Sequence, residues 1–198
     1  MAESVEGRRL RADAERSVRT ILEAAERVLA ADPAASMERI AEAAGVARTT
    51  VHRRFASREA LVDAMAASAA GQIAEAVDAA RPETAPPLVA LHQATVNMLQ
   101  VKAGWRFTMS QVSPANPAAA QTVDDVRDKI DRLLHRAQQA GLITADANLR
   151  WTERVYRALV DEANEALHED EASVDVDAVA ARVVDTLLHG LGQPRTAQ

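Results

Sequence analysis

Residues 36–61 read SMERIAEAAGVARTTVHRRFASREAL, and this stretch decides how the rest of the chain is read. Ser36 is a good N-cap, and Glu38 falls in the first turn that would follow it, where a negative charge is favourable. Met37, Ile40, Ala41 and Ala44 then recur at three and four residues and give a short helix one apolar face. Gly45 comes where a left-handed backbone would end that helix and turn the chain. A second short helix over about 48–55 has only Val46, Val51 and Phe55 to bury. Its other positions are Arg48, Thr49, Thr50, His52, Arg53 and Arg54, a dense set of donors with no balancing acid before Glu59. Two short helices with a tight turn bury little surface alone, so a further helix must cover them. The pattern is a helix-turn-helix, and the donors suit a DNA major groove. There an arginine bonds guanine O6 and N7 together, and a threonine meets a base edge, a thymine methyl or a phosphate.

The covering helix is expected upstream, from about Asp13 to Ala31. Val18, Ile21, Leu22, Ala25, Val28 and Leu29 form its inner face, and Asp32-Pro33 ends it. Residues 1–12 read as a basic mobile arm carrying Arg8, Arg9 and Arg11, which with Arg16 could follow the DNA backbone or enter a minor groove. Downstream, a long helix is expected over about 57–80 and further helices over about 88–102, 120–140, 146–169 and 176–191. Residues 104–117 read as irregular or weakly helical. No period-two pattern of useful length is present, so the fold class is all-α: an N-terminal three-helix DNA-binding domain over 13–62, then a larger helical bundle over 63–198. Composition agrees, with 48% hydrophobic residues, only 3% aromatic, and seven glycines and seven prolines in 198 residues.

The net charge of −6 argues on average against nucleic acid, but it is segregated. Residues 1–62 hold eleven arginines against ten acids, a net +1, and the remainder carries −7. A local basic patch is what phosphate binding needs, because salt screens attraction beyond about 8–10 Å. There is no cysteine, no apolar leader and no run approaching the ~20 apolar residues of a membrane span, so a cytoplasmic protein without membrane contact is expected.

Ser36-x-x-x-Ile40-Ala41-x-x-Ala44-Gly45-Val46-x-x-x-Thr50-Val51-x-x-x-Phe55-x-Ser57-Arg58-Glu59-x-Leu61 resembles the N-terminal signature of the tetracycline-repressor (TetR) family. The match spans about 13–62; beyond it only helix number, length and order agree. The resemblance implies an all-α homodimer that binds double-stranded DNA at a palindromic operator. In it the C-terminal helices hold a small-molecule effector pocket and the dimer interface, and an effector usually releases a repressor. On this reading Arg48, Thr49 and His52 face bases or groove, Thr50, Arg53 and Arg58 face phosphates, and Ser36 offers backbone N–H groups at a helix start. Ala47 stands where the family often has a capping serine, a loss worth roughly 0.5–2 kcal/mol unless Thr49 or Thr50 compensates. His52 replaces a tyrosine that commonly contacts phosphate, so affinity is expected to fall with rising pH over the range in which an imidazole loses its proton; a flat affinity from about pH 6 to 8 would remove that expectation.

The last two helices look like an interface. Val176, Val179, Ala180, Val183, Val184, Leu187, Leu188 and Leu191 make an arc wider than a one-sided helix needs, with Trp151, Val155, Tyr156, Leu159, Val160 and Leu167 before it. One side could face the chain's own core and the other a second copy; full burial within one monomer is the alternative. Met98, Trp105, Phe107, Met109, Trp151 and Tyr156 are candidates for the effector pocket and serve equally well as core. Asn97, His92, Gln111 and His135 are possible polar contacts.

No nucleophile elbow, phosphate loop or metal cluster is visible, and no cofactor is implied. Glu165-x-x-His168 has di-iron spacing but lacks its second copy, so an enzyme is not expected. The open alternative is a helical ligand- or protein-binding module with a TetR-like fold that lacks specific operator binding.

Overall fold

A computed structural model of the chain describes residues 2–111, 116–169 and 175–190, with side chains described from residue 16 and not at 168 and 169. Among the described residues there are nine helices and no strand: α1 Ala2–Ala31, α2 Met37–Ala43, α3 Arg48–Arg54, α4 Arg58–Ala79, α5 Pro87–Gly104, α6 Arg106–Gln111, α7 Ala120–Gln139, α8 Leu149–Glu169 and α9 Val176–His189. One expectation needs correcting here. Helix α1 already runs from Ala2, so residues 2–12 continue a helix where an arm was expected. Residues 106–111 form the short α6 inside the stretch read as irregular or weakly helical.

The described residues separate into two compact units, one drawn from Met1–Ser68 and Trp105–Ala119, the other from Ala69–Gly104 and Ala120–Gln198. The division falls within α4 rather than at residue 62, and Trp105–Ala119 joins the N-terminal unit.

In the first unit α1 packs on α2 and α6, and α2 on α3. Ile21, Leu22, Ala25 and Leu29 of α1, Ile40 and Ala41 of α2, Val51 and Phe55 around α3, and Leu61 and Met65 of α4 are buried. Trp105 and Phe107 are buried in the same unit. The carboxylate of Glu26 explains why α6 belongs here. Although ionisable, Glu26 is buried in α1 and accepts from Phe107 N at 2.5 Å, Thr108 N at 3.1 Å and Thr108 Oγ1 at 2.6 Å. A helix this short leaves its first N–H groups without partners, and Glu26 supplies them from 81 residues away. Asn116 Nδ2 adds a bond to Asp63 Oδ1 at 2.8 Å.

The second unit packs α5 on α7, α8 and α9, with α8 also against α7 and α9. Leu91, Leu99, Leu133, Leu134, Val160, Val183 and Val184 form its core. Tyr156 and Thr95 bring the polar atoms: their oxygens lie 2.8 Å apart, and Thr95 Oγ1 donates to Leu91 O at 2.8 Å. Arg136 fastens the turn after α4 by donating to Pro82 O and, at 2.8 Å, to Ala85 O. Helix α8 starts three residues later than expected because Asn148, not Asp146, caps it, accepting from Trp151 N at 3.1 Å.

Much of the apolar arc of α9 packs within its own unit. Val179, Ala180, Val183 and Val184 are buried, and Val176, Leu187 and Leu188 pack partly buried against the same core. Leu191 lies outside the described residues. No described helix is long and apolar enough to cross a membrane.

Candidate DNA interface

Helix α2 begins where Ser36 Oγ accepts from Arg39 N at 3.3 Å, the side-chain cap that its sequence suggests. It ends at Gly45, whose φ of +66° lets two bonds close the turn: Gly45 N to Glu42 O and Val46 N to Ala41 O, both 3.0 Å. This is a Schellman end, and it needs a residue without a Cβ penalty at that φ. Ala47 then caps α3 with extended backbone and no side-chain bond, so neither Thr49 nor Thr50 compensates for the missing serine. Val51 and Phe55 hold α3 against its unit, and they leave Arg48, Thr49, His52, Arg53 and Arg54 exposed, with Thr50 half-buried.

Seven of the eight predicted contact residues fall into three groups, and the eighth, Thr50, is half-buried on α3. Thr49 and Arg53 stand exposed, and neither Arg53 nor the adjacent Arg54 pairs with an acid among the described residues. Arg48 and His52, one turn apart on α3, converge on Glu38 of α2: Arg48 Nη2 is 2.5 Å from Glu38 Oε1, and His52 Nε2 is 3.6 Å from the same oxygen. The Glu38 carboxyl is held below the ordinary glutamate range by its own backbone N–H first, then by the Ser36 hydroxyl, with Arg48 and His52 adding. Ser36, Ala47 and Arg58 serve the framework. Arg58, expected at a phosphate, donates instead to Pro33 O and, at 2.6 Å, to Ala35 O, and so fastens the turn between α1 and α2.

Sequence reading took Glu38 only as a favourable charge at a helix start, because its partners on α3 lie ten and fourteen residues away across the turn. Arg39, the cation beside Glu38, is turned to Asp32 Oδ2 at 3.1 Å. On α1, Arg16 is exposed, and the side chains of Arg8, Arg9 and Arg11 fall outside the described ones.

The effector candidates are divided between the two units. Trp105 and Phe107 are buried and Met109 half-buried in the first unit; Met98 and Tyr156 are buried in the second; Trp151 is 65% exposed. Burial keeps the Tyr156 phenol protonated well above its usual range, partly offset by Thr95. The second unit carries an open groove of about 640 Å³ lined by Leu88, Val89, His92, Leu142, Val184 and Leu188, among others. A second, of about 500 Å³, is lined mainly by charged residues, among them Glu83, Asp131, Arg132 and Arg136, with His135. None of the six candidates lines either groove. Asn97 is committed to Ala76 O at 2.9 Å, and the His168 side chain of the Glu165 pair lies outside the described residues.

The family model for bacterial regulatory proteins of the tetR family matches residues 21–65. The chain is 33% identical over 153 residues to the HTH-type transcriptional repressor LfrR of Mycolicibacterium smegmatis, covering 77% of this chain and 79% of that one. Its structure is similar to the crystal structure of the TetR-like regulator LfrR from Mycobacterium smegmatis in complex with proflavine. That likeness has a TM-score of 0.73 at 28% identity and covers 90% of this chain and 98% of the other. The fatty acid degradation regulator FadR from Bacillus halodurans has the same fold, with a TM-score of 0.74 at 19% identity over 88% of this chain and 96% of its own.

Proposed function

The chain belongs to the TetR family of bacterial regulators, and on that premise we propose that it is a repressor whose paired recognition helices read a palindromic operator and which a small-molecule effector releases. The family consists of DNA-binding transcription regulators rather than enzymes. What supports the operator reading most directly is α3. It exposes Thr49, Arg53 and Arg54 beside Arg48 and His52, on a helix that Val51 and Phe55 fix from behind. A ligand carrier has no use for that surface.

In this reading Arg48, Thr49 and His52 meet base edges or the groove wall, and Thr50 and Arg53 meet phosphates. Arg58 positions the turn before α2 instead of touching DNA, and Ser36 and Ala47 mark the helix starts that approach the backbone. Two copies are needed because one seven-residue helix reads few bases. Trp151 and Ala158 of α8 and Ala178 and Ala181 of α9, all exposed, are the residues we assign to the second copy. Met98 and Tyr156 are the contacts we assign to an effector. Proflavine, which the similar LfrR structure holds, is the first probe to try.

The test is selection of bound duplexes from a random pool, then a salt titration on the winner. A palindrome with half-sites about one helical turn apart is expected, and Arg53→Ala, which removes one phosphate contact from each of the two copies, should lower the salt slope by about two while weakening all sequences alike. Failure to enrich any sequence at low salt would overturn the operator reading and leave a ligand- or protein-binding module.

A further inference from the structure

We propose that Glu38 is a specificity-determining residue: from α2 it holds the Arg48 guanidinium in one pose on the exposed face of α3 and makes the surface unwelcoming to DNA that offers Arg48 no matching base. The proposal rests on the operator reading above and deepens it.

The geometry supports both halves. A free arginine keeps many rotamers, and ordering it for a base costs affinity at every site. Glu38 Oε1, 2.5 Å from Arg48 Nη2, narrows that choice before DNA arrives. An arginine presents five N–H donors on two edges that share Nη2, and one carboxylate oxygen uses one N–H of Nη2. The second N–H of Nη2 and its neighbour on the other edge are left for the two acceptors of a guanine. The carboxylate therefore buttresses Arg48 and need not be displaced by it. The same oxygen lies 3.6 Å from His52 Nε2, so the acid faces the next exposed side chain of the recognition surface as well.

The charge works in the other direction. Glu38 is about two-fifths exposed, and its neighbour Arg39 is spent on Asp32. A carboxylate carried into a groove between two phosphate rows repels every sequence, and only a base edge that bonds Arg48 offsets it. Interfaces commonly gain discrimination from such a repulsive element at the expense of raw affinity.

The experiment compares the wild-type chain with Glu38→Gln and Glu38→Asp. Affinities are measured by fluorescence anisotropy on the selected duplex, on its single-base-pair variants and on a scrambled duplex of equal length, at two salt concentrations. Glu38→Gln keeps the shape and removes the charge. It should tighten binding to the scrambled duplex several-fold and lower the ratio of selected to scrambled affinity by about fivefold or more, the low end of what one bidentate base pair discriminates. The loss should concentrate at one base-pair position, the one where Arg48→Ala also flattens preference. Glu38→Asp keeps the charge but is one methylene too short for the pair; it should lower the ratio without tightening the scrambled duplex. A folded Glu38→Gln protein with an unchanged ratio, or one that weakens all duplexes alike, overturns the proposal. A wild-type chain that prefers no sequence overturns the operator reading and this proposal with it. An unchanged ratio in a wild-type chain that does select a site overturns this one alone.

Discussion

Replacing Glu26 by alanine should cost more than any other single change to a charged residue in the N-terminal unit. The side chain is 5% exposed and receives three hydrogen bonds, two from the backbone N–H groups that open α6 and one from the Thr108 hydroxyl. Each buried donor left without a partner costs roughly 1–3 kcal/mol, so three give roughly 3–9 kcal/mol before compensation. Two effects reduce that sum. The desolvation penalty of the carboxylate vanishes with it, and water can enter the polar space left behind. The net expectation is about 2–4 kcal/mol for Glu26→Ala, and about half of that for Glu26→Gln, which keeps one acceptor but turns an NH2 toward donors. Urea unfolding followed by circular dichroism gives the stability, and amide hydrogen exchange at Phe107 and Thr108 locates it, since those two amides should lose protection first. If both variants unfold within about 0.5 kcal/mol of wild type with both amides still protected, the carboxylate is not what holds α6 in place.

The buried Thr95–Tyr156 pair predicts an asymmetry. Thr95→Val strands the phenol O–H and should cost about 1–3 kcal/mol, whereas Tyr156→Phe leaves Thr95 still donating to Leu91 O and should cost about 0.5–1.5 kcal/mol; chemical denaturation in the opposite order would refute the assigned direction of the bond. Burial, then Glu153 and Asp128, raises the Asp131 pKa, so its carboxylate opposes folding at neutral pH and the penalty disappears as pH falls through the raised value. Asp131→Asn should therefore raise the melting temperature slightly at pH 7, within about 0.5 kcal/mol for so exposed a group, and progressively less toward pH 4. Gly45→Ala meets no atom within 4 Å, so its cost of about 1–2 kcal/mol should come from backbone strain at φ +66° alone, and urea midpoints should show Gly45→Asn costing less.

What was legible in the sequence is what depends on neighbours along the chain. The Ser36 cap, the Gly45 turn, the inward Val51 and Phe55 and the bare Ala47 are all decided within a few residues, and each is found in the structure as read. Gly141 likewise closes α7 with a second Schellman end, through Gly141 N to Gln138 O and Leu142 N to Ala137 O. What was illegible depends on residues far away in the chain. Helix α6 has a weak local pattern and needs a carboxylate on α1. Periodicity counts apolar residues without showing how many neighbours surround them: α5 and α8 both lie against α9, where Val179, Ala180, Val183 and Val184 are buried and Val176, Leu187 and Leu188 partly so.

The same distinction governs the DNA interface. Spacing places six donors over residues 48–54 but does not show which of them are free. Arg58 has the same chemistry as Arg53 and sits five residues on, yet two carbonyls of an earlier turn claim it, because it opens α4 beside that turn while Arg53 faces outward from α3. Pro33 and Ala35 each take one donor from the terminal nitrogens of Arg58, so it is tied to that turn by two bonds before it can turn toward a phosphate. Arg53 has no such partner among the described residues. The salt dependence of binding should therefore be carried by Arg53, while loss of Arg58 should appear as loss of stability in the α1–α2 turn.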